Sequence, residues 1–369
     1  MRKKIVPLFK IYNDRSDIEA ISRVIKSGFF WATGKEIEEF EKKISKYIGI
    51  KYSTVVNSGT SALIAALMAA GIGKDDEVIV PSFTFAATAL SVSAVGAKPV
   101  FADIEEMSCG LDHRDIKKKI NNKTKAIIAV HYAGYPCDIV AINKIARKHN
   151  LILIEDAAEA FGAKIADKMI GTLSDLSVFS FCQNKIITTG EGGAVVSNNL
   201  SFQKSLKQII SHGKNIRGDF FDNKKPEDYI RLGFNWRMAS MTAALGISQL
   251  NKVEMMIKER IKIAKFYKQR LSKIPEISFL PGQENSRNVF QMLPIRTKKR
   301  DKLMDYLNRS NIASRICFLP IHKCYYYNCD IKLPVTEKIS KEILTLPIFP
   351  KMLQEDLDFV TDKIIKFYK

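Results

Sequence analysis

The sequence predicts an α/β protein with a mostly parallel β-sheet that is covered by helices on both faces. Over the first two-thirds of the 369 residues, short apolar runs alternate with segments of helical periodicity. Strands that are buried on both faces of a parallel sheet read as continuous apolar runs, which is the pattern found here. The length suggests two structural domains, or one large domain with a smaller lobe.

Seven short apolar runs are the predicted strands, and helices lie between several of them, for example at 62–71 and 138–150. The last two runs are separated by too little chain for a crossover helix, so at least one neighbour there is expected to run antiparallel. The predicted strands are 53–56, 77–80, 99–104, 126–132, 151–155, 177–181 and 194–197.

The pattern changes after about residue 250. Residues 249–274 carry apolar side chains at helical spacing over many turns, and Pro275 and Pro281 mark the exit from this helix. A smaller α/β lobe should follow. We therefore predict a large domain at 1–250 and a small C-terminal domain at 251–369, whose elements are strands near 289–296 and 313–318 and a last helix near 353–368.

The composition indicates a reduced, cytoplasmic protein. No apolar run approaches the roughly 18 residues of a membrane helix, and the N-terminus does not resemble a secretory signal. The six cysteines form no CxxC pair, which is typical of a chain without disulfides. Cys324 and Cys329 lie near His322 but lack the spacing of a metal site, so we expect no bound metal.

The net charge of +19 raises the alternative of a nucleic-acid-binding protein. The lysines, however, are spread along the chain without a run of five or more, and no recognised nucleic-acid motif occurs. Charge distributed in this way indicates a solvated surface. We therefore expect neither a nucleic-acid partner nor a membrane partner.

Ligands of open α/β sheets lie beyond the carboxyl ends of the strands, so the residues that follow each run are the ones to inspect. After the first run comes NSGTSALIAAL, in which Gly59, Thr60 and Ser61 begin a helix. Main-chain N–H groups at a helix N-terminus can bind an anion such as phosphate. The alternative is a plain N-cap, because Ser58 and Thr60 are good capping residues.

Carboxylates lie at the end of the fifth run and just after it, at Glu155, Asp156 and Glu159. A buried acid needs a partner, which here could be a metal, a buried lysine or a protonated ring nitrogen. The alternative is an acid that caps the following turn.

Lys185 follows the sixth run, in SVFSFCQNKIITTGEGG. A desolvated lysine loses its proton readily and becomes a nucleophile, although most lysines extend to water instead. The combination is more informative than any single residue. A phosphate site, a strand-end acid and a strand-end lysine in one sheet match the requirements of pyridoxal phosphate.

Almost the whole chain resembles the DegT-type family of pyridoxal-phosphate-dependent nucleotide-sugar aminotransferases, which have the fold-type-I architecture. The matching segments include NSGTSALIAAL, PSFTFAATA, IEDAAEAFGA, FSFCQNKIITTGEGG, LGFNWRMASMTAALGISQL and SRICFLPIH. The Asn184–Lys185 pair and Glu159 look like the perosamine-synthase branch of this family.

The resemblance implies a role for each matching position. Lys185 corresponds to the lysine that bonds the cofactor aldehyde, and Asp156 to the acid that pairs with the pyridine nitrogen. Glu159 would lie near the phenolic oxygen of the cofactor. The remaining implied contacts are Phe85 on the cofactor ring, Gly59, Thr60 and Ser180 on its phosphate, Asn235 on the phosphate from a partner subunit, and Arg315 and His322 on the substrate side.

The implied activity is transfer of an amino group from glutamate to a nucleotide-linked 4-keto-6-deoxyhexose, in a homodimer with a shared active site. Lysine at 185 favours transamination over the deoxygenation of relatives that carry histidine there. Departures from the family pattern at Cys182, Gln183 and Ile316 lie near the expected substrate side. Alternatives are amination of a 3-keto sugar or a cyclitol, or a regulatory, nucleic-acid-binding protein with the same fold.

Overall fold

We analysed a computed structural model, which describes residues 5–215 and 228–369. Its main feature is a seven-stranded sheet, accompanied by two small three-stranded sheets. The strands, in chain order, are β1 (Tyr52–Val56), β2 (Glu77–Pro81), β3 (Lys98–Ala102), β4 (Thr124–Val130), β5 (Ile152–Asp156), β6 (Lys164–Ile165), β7 (Lys168–Met169), β8 (Leu176–Ser180), β9 (Gly193–Ser197), β10 (Ser278–Phe279), β11 (Ser286–Arg287), β12 (Leu293–Arg296) and β13 (Ile343–Leu346).

The large sheet has the strand order β1-β9-β8-β5-β4-β2-β3. Strands β8, β5, β4, β2 and β3 pair in parallel, whereas β9 runs antiparallel to both β1 and β8. The prediction of a mostly parallel sheet with an antiparallel neighbour is therefore confirmed. All seven predicted strands belong to this sheet.

Helices cover the sheet and connect its strands. The residues flanking several of them cap the helix ends. The Asp14 and Asp138 side chains, for instance, accept main-chain N–H groups in the first turns of the first and sixth helices. The helices are α1 (Arg15–Ser27), α2 (Lys35–Ile48), α3 (Gly59–Ala69), α4 (Ala86–Ala94), α5 (His113–Lys119), α6 (Ile139–Lys148), α7 (Leu200–Ile209), α8 (Ser240–Leu250), α9 (Val253–Leu271), α10 (Arg300–Arg309), α11 (Pro334–Glu342) and α12 (Gln354–Tyr368).

The C-terminal third differs from the prediction in two places. The predicted helix at 249–274 is two helices, because α8 ends at Leu250 and α9 begins at Val253. Residues 313–318 were predicted as a strand but form only an isolated bridge, between Arg315 and Thr345. The third strand of the sheet β10-β12-β13 is instead β13. It pairs with β12 and follows α11 without a turn signal in the sequence.

Helix α9 contributes to two hydrophobic cores. Its first half packs in the core of the large sheet through Val253 and Met256. Its second half packs in the core that contains residues of β12 and β13, through Ile263 and Tyr267. Val6 lies in the second core as well and pairs with Ile312. The domain boundary at 250 and 251 stays a prediction. Within 5–215 and 228–369, no helix is both long and apolar enough to cross a membrane.

Candidate active site

A cleft of about 450 Å³ opens at the carboxyl edge of the parallel strands. This volume is within the range of small-molecule and cofactor sites, ~300–1,000 Å³. Residues from distant parts of the chain meet here because parallel strands end at the same edge of a sheet. Of the residues predicted from the sequence, those that line the cleft are Gly59, Thr60, Phe85, Asp156, Glu159, Ser180, Lys185 and Arg315.

Asp156 ends β5 and lines the cleft. Its Oδ2 accepts a hydrogen bond of 2.8 Å from the Thr88 hydroxyl, and its Oδ1 accepts one of 3.2 Å from the Ala158 N–H. Burial raises the pKa of Asp156, although these hydrogen bonds oppose that effect. A cation placed beside this carboxyl group would therefore be stabilised by it.

Glu155 precedes Asp156 but belongs to a separate network, since successive side chains of a strand point to opposite faces. Its Oε2 lies 2.9 Å from His131 Nε2, and its Oε1 accepts hydrogen bonds from the Ser174 and Ser177 hydroxyls. Burial alone would raise the pKa of Glu155, but the hydrogen bonds from His131 and Ser174 lower it below its ordinary value. Glu155 is fully buried and does not line the cleft.

Lys185 Nζ donates a hydrogen bond of 3.3 Å to Oε1 of Glu159. Both side chains are mostly buried, with exposed fractions of 14% and 10%. The other carboxylate oxygen of Glu159 accepts a hydrogen bond of 2.8 Å from the Ala133 N–H, which holds the carboxylate in place. The loop that carries the lysine is held by Gln291, whose Nε2 donates to the Asn184 carbonyl at 2.9 Å. The amine is therefore held in place inside the cleft.

The N-terminus of α3 forms the opposite part of the cleft. Ser58 caps this helix by accepting the Ser61 N–H at 3.1 Å. The Ser61 hydroxyl donates to Asn57 Oδ1 at 2.6 Å, and Ser61 does not line the cleft. A Cβ atom at Gly59 would lie 2.9 Å from Cβ of Ser180, so only glycine allows this close approach. The main-chain N–H groups of the first turn can therefore bind an anion at this point.

Phe85 occupies the N-cap position of α4, and its side chain is 58% exposed. Its ring lies 5.8 Å from the ring of Phe318, and both residues line the cleft. An aromatic ring left exposed in a cleft can stack on a planar ligand.

These residues fit pyridoxal phosphate. The cofactor requires an anion site, an acid for its ring nitrogen and an amine for its aldehyde. The first turn of α3, Asp156 and Lys185 provide these groups in one cleft. The fold and the cleft together indicate a pyridoxal-phosphate-dependent enzyme with the fold-type-I architecture that the sequence resemblance implies.

Comparisons with known proteins agree with this class. Residues 12–365 match the model of the DegT/DnrJ/EryC1/StrS aminotransferase family, and the chain belongs to that family. The GDP-perosamine synthase of Escherichia coli O157:H7 is 33% identical over 372 residues, which is 99% of each protein. The dTDP-3-amino-3,6-dideoxy-alpha-D-galactopyranose transaminase of Aneurinibacillus thermoaerophilus is 34% identical over 353 residues, 95% of this chain and 94% of that protein.

Solved structures support the same assignment. Helicobacter pylori PseC, an aminotransferase involved in the biosynthesis of pseudoaminic acid, superposes with a TM-score of 0.92 and 28% sequence identity, covering 99% of both chains. The protein is thus a sugar aminotransferase that uses pyridoxal phosphate, as the motifs predicted.

Three residues predicted for the site do not line the cleft of their own chain: Ser61, Asn235 and His322. Asn235 is exposed and forms an isolated bridge with Ser211. His322 is fully buried, and its Nδ1 lies 2.6 Å from the Ser82 hydroxyl. Arg315, by contrast, is exposed at the rim of the cleft, and its guanidinium has no carboxylate partner within the described part of the chain.

The sequence analysis did not single out Thr88, His131 or Gln291. Thr88 and Gln291 each support a residue of the cleft, whereas His131 supports the buried Glu155 beside it. Thr88 and His131 bond the adjacent carboxylates of β5, and Gln291 holds the loop of Lys185. His131 had a usable signal, because it directly follows the fourth strand, at the functional edge of the sheet. Gln291 lies far along the chain, and no local pattern indicates its contact.

Proposed function

We propose that the enzyme transfers an amino group from glutamate to C4 of a nucleotide-linked 4-keto-6-deoxyhexose. The observation that carries this proposal is the position of Lys185 Nζ in one cleft with Asp156 and the N-terminus of α3. The substrate class rests on likeness to GDP-perosamine synthase and on the Asn184–Lys185 pair and Glu159.

Pyridoxal phosphate, when bound, supplies an electrophilic carbon and a ring that takes up negative charge. Gly59, Thr60 and Ser180 would bind its phosphate, and Phe85 would orient its ring by stacking. Asp156 would keep a proton on the ring nitrogen. This role suits a buried carboxylate, because a pyridinium offsets the burial that raises its pKa.

Lys185 Nζ would move the proton between the α-carbon of the amino donor and the reacting carbon of the cofactor, as a general acid–base. Glu159 holds this amine at 3.3 Å and is itself held by the Ala133 N–H. The Arg315 guanidinium at the rim has no carboxylate partner among the described residues and can bind an anionic group of either substrate, such as a carboxylate or a diphosphate.

The choice of carbon is tested by product analysis. The enzyme is incubated with glutamate and a panel of GDP-, UDP- and dTDP-linked 3-keto and 4-keto sugars, and NMR locates the new C–N bond. We expect amination of a 4-keto sugar, and no product from Lys185→Ala. Amination of only a 3-keto sugar, which likeness to the Aneurinibacillus enzyme would favour, or of only a nucleotide-free ketone such as a cyclitol, would contradict the C4 proposal.

We also propose a homodimer in which Asn235 reaches the cofactor phosphate of the partner subunit. Asn235 is exposed and does not line the cleft of its own chain, and Phe29, Phe30 and Trp31 form an exposed apolar stretch. Closed two-fold dimers are the commonest assemblies and cover such surfaces.

A mixing experiment tests the shared site. Lys185→Ala and Asn235→Ala subunits, each expected to be inactive alone, are exchanged and assayed as hybrids. We expect part of the activity to return, because one of the two sites in a hybrid contains both native residues. If exchange is demonstrated by mass spectrometry and no activity returns, Asn235 does not act across the interface.

A further inference from the structure

We propose that Ser82 and His322 form a buried contact that positions Phe85 and Phe318, the two aromatic walls of the cleft. His322 is then a positioning residue that acts through Ser82, and not a residue that contacts substrate. This positioning role does not depend on which sugar the enzyme uses.

The contact joins two distant segments of the chain. Ser82 follows β2, and His322 lies in a short 3₁₀ turn at Ile321–Lys323. The Ser82 hydroxyl lies 2.6 Å from His322 Nδ1 and accepts the main-chain N–H of His322 at 3.1 Å. The Ser82 carbonyl accepts the Ile321 N–H at 2.9 Å. Three hydrogen bonds therefore converge on one serine, and both Ser82 and His322 are fully buried.

The Ser82 hydroxyl has one proton that it can donate to His322 Nδ1 while its oxygen accepts the main-chain N–H of His322. With Ser82 as the donor, the ring proton of a neutral His322 is on Nε2. This nitrogen lies 3.6 Å from Oε1 of Glu337, beyond hydrogen-bond distance, and has no hydrogen-bond partner within the described residues. Burial lowers the pKa of His322, which favours the neutral ring. His322 Nδ1 thus pairs with Ser82, and none of Ser82, His322 and Glu337 lines the cleft.

Each partner lies close in sequence to one wall of the cleft. Ser82 is three residues before Phe85, and His322 is four residues after Phe318. The rings of Phe85 and Phe318 are 5.8 Å apart, and both line the cleft. The buried contact therefore sets the spacing between the wall expected to stack on the cofactor and the wall on the substrate side.

The segment that carries Phe318 is also held by other hydrogen bonds, so loss of the Ser82–His322 contact should have a limited effect on its position. The Tyr132 hydroxyl donates to the Cys317 carbonyl, and Arg315 exchanges main-chain hydrogen bonds with Thr345. Loss of the Ser82–His322 contact should thus displace the wall without unfolding the protein. A typical hydrogen bond corresponds to a change of about three- to tenfold in an equilibrium.

Cys317 provides a direct measurement of wall movement in the holoenzyme. It lines the cleft and is only 4% exposed, and burial raises its pKa to about 11, so alkylation of the wild-type thiol should be slow. The rate of iodoacetamide labelling at Cys317 is followed by residue-resolved mass spectrometry. Cys137 is fully buried elsewhere and reports any global unfolding.

The variants are His322→Phe, which keeps an aromatic ring, Ser82→Ala, and the double variant. The matched control is Ser93→Ala. The Ser93 hydroxyl lies 2.9 Å from Tyr327 OH, so it joins α4 to the same C-terminal segment, yet neither residue lines the cleft.

In both single variants we expect the labelling rate of Cys317 and the cofactor dissociation constant to rise by about three- to tenfold. The double variant should show no larger change than the stronger single variant. Cys137 labelling and the Ser93→Ala protein should remain at wild-type values. His322→Asn, which places a polar atom near the former Nδ1, should recover part of the difference.

The proposal is overturned if the single variants lower the melting temperature but leave Cys317 labelling and the cofactor dissociation constant unchanged. It is also overturned if His322→Phe reduces turnover with the sugar while Ser82→Ala does not, since that result assigns His322 to the substrate. Neither measurement of labelling or cofactor binding uses the sugar, so failure here is distinguishable from failure of the proposed C4 amination.

Discussion

The two carboxylates at the end of β5 are adjacent in sequence but occupy contrasting environments. Glu155 accepts hydrogen bonds from His131, Ser174 and Ser177 and is completely enclosed. Asp156 faces the cleft and, among the described residues, accepts hydrogen bonds from Thr88 and Ala158 alone. Burial affects both, yet the pKa of Glu155 is lowered and that of Asp156 is raised. The number of hydrogen-bond donors therefore distinguishes the structural carboxylate from the one that requires a ligand.

This comparison predicts that residues facing the cleft, like Asp156, control chemistry. Residues of the enclosed network around Glu155 should control stability.

Lys185→Ala should show the largest effect, a complete loss of transamination with an unchanged melting temperature. The variant should still bind pyridoxamine phosphate, because the α3 N-terminus and Asp156 remain. With pyridoxal phosphate, it should show no visible absorbance band that borohydride bleaches. A borohydride-sensitive band with normal turnover would assign the chemistry to another lysine.

Asp156→Asn should reduce turnover on the order of 100- to 1,000-fold, a typical cost of removing a preorganised electrostatic contact. An amide cannot stabilise a protonated ring nitrogen as a carboxylate does. Steady-state and half-reaction kinetics with glutamate measure the loss, and retention of cofactor binding excludes misfolding. Near-normal rates would remove Asp156 from this role.

The same variant should make the cofactor-free protein more stable at neutral pH. Because the folded-state pKa of Asp156 is raised, the charged carboxylate destabilises the fold above that pKa, and the penalty disappears as the pH falls through it. Urea denaturation of both cofactor-free proteins between pH 4 and 8 should show the difference widening with pH. A constant difference would indicate that burial does not perturb Asp156.

Glu155→Gln should leave the cofactor chemistry in place but lower the free energy of unfolding by about 3 kcal/mol, because hydrogen bonds to a charged group contribute ~1.5–3 kcal/mol each. The pH dependence has the opposite sign to that of Asp156. Because the folded-state pKa of Glu155 is lowered, its charged carboxylate stabilises the fold at pH values above the ordinary glutamate pKa. This stability is lost as the pH falls through the folded-state pKa. A large loss of turnover in a fully folded variant would contradict the division between the two carboxylates.

Glu159→Gln should have the smallest effect, within about tenfold in turnover. The amide oxygen can still accept the Ala133 N–H, and only the charge beside Lys185 Nζ is lost. Comparison with Glu159→Ala, which also removes the contact with Ala133, separates charge from position. Equal losses in both variants would show that the charge is the essential property.

Local patterns in the sequence were sufficient for the strands of the large sheet and for the positions of Lys185 and Asp156 at strand ends. Apolar runs and turn residues depend on neighbours a few positions away, so they are readable without a fold. The same local rule failed at residues 313–318, where the predicted strand forms one bridge, and at β13, where a strand follows a helix directly.

Alternation along β5 predicts that Glu155 and Asp156 point to opposite faces, whereas only the tertiary structure shows which of them meets the cleft. The hydrogen bonds from Thr88 to Asp156, from Gln291 to the loop of Lys185 and between Ser82 and His322 likewise join residues far apart in the chain. His322 was predicted on the substrate side from its sequence context, and the fold buries it behind the wall. Sequence periodicity determines which residues form each strand and turn, but the partners of a buried polar group depend on how the strands are ordered and packed, and that is a property of the whole chain.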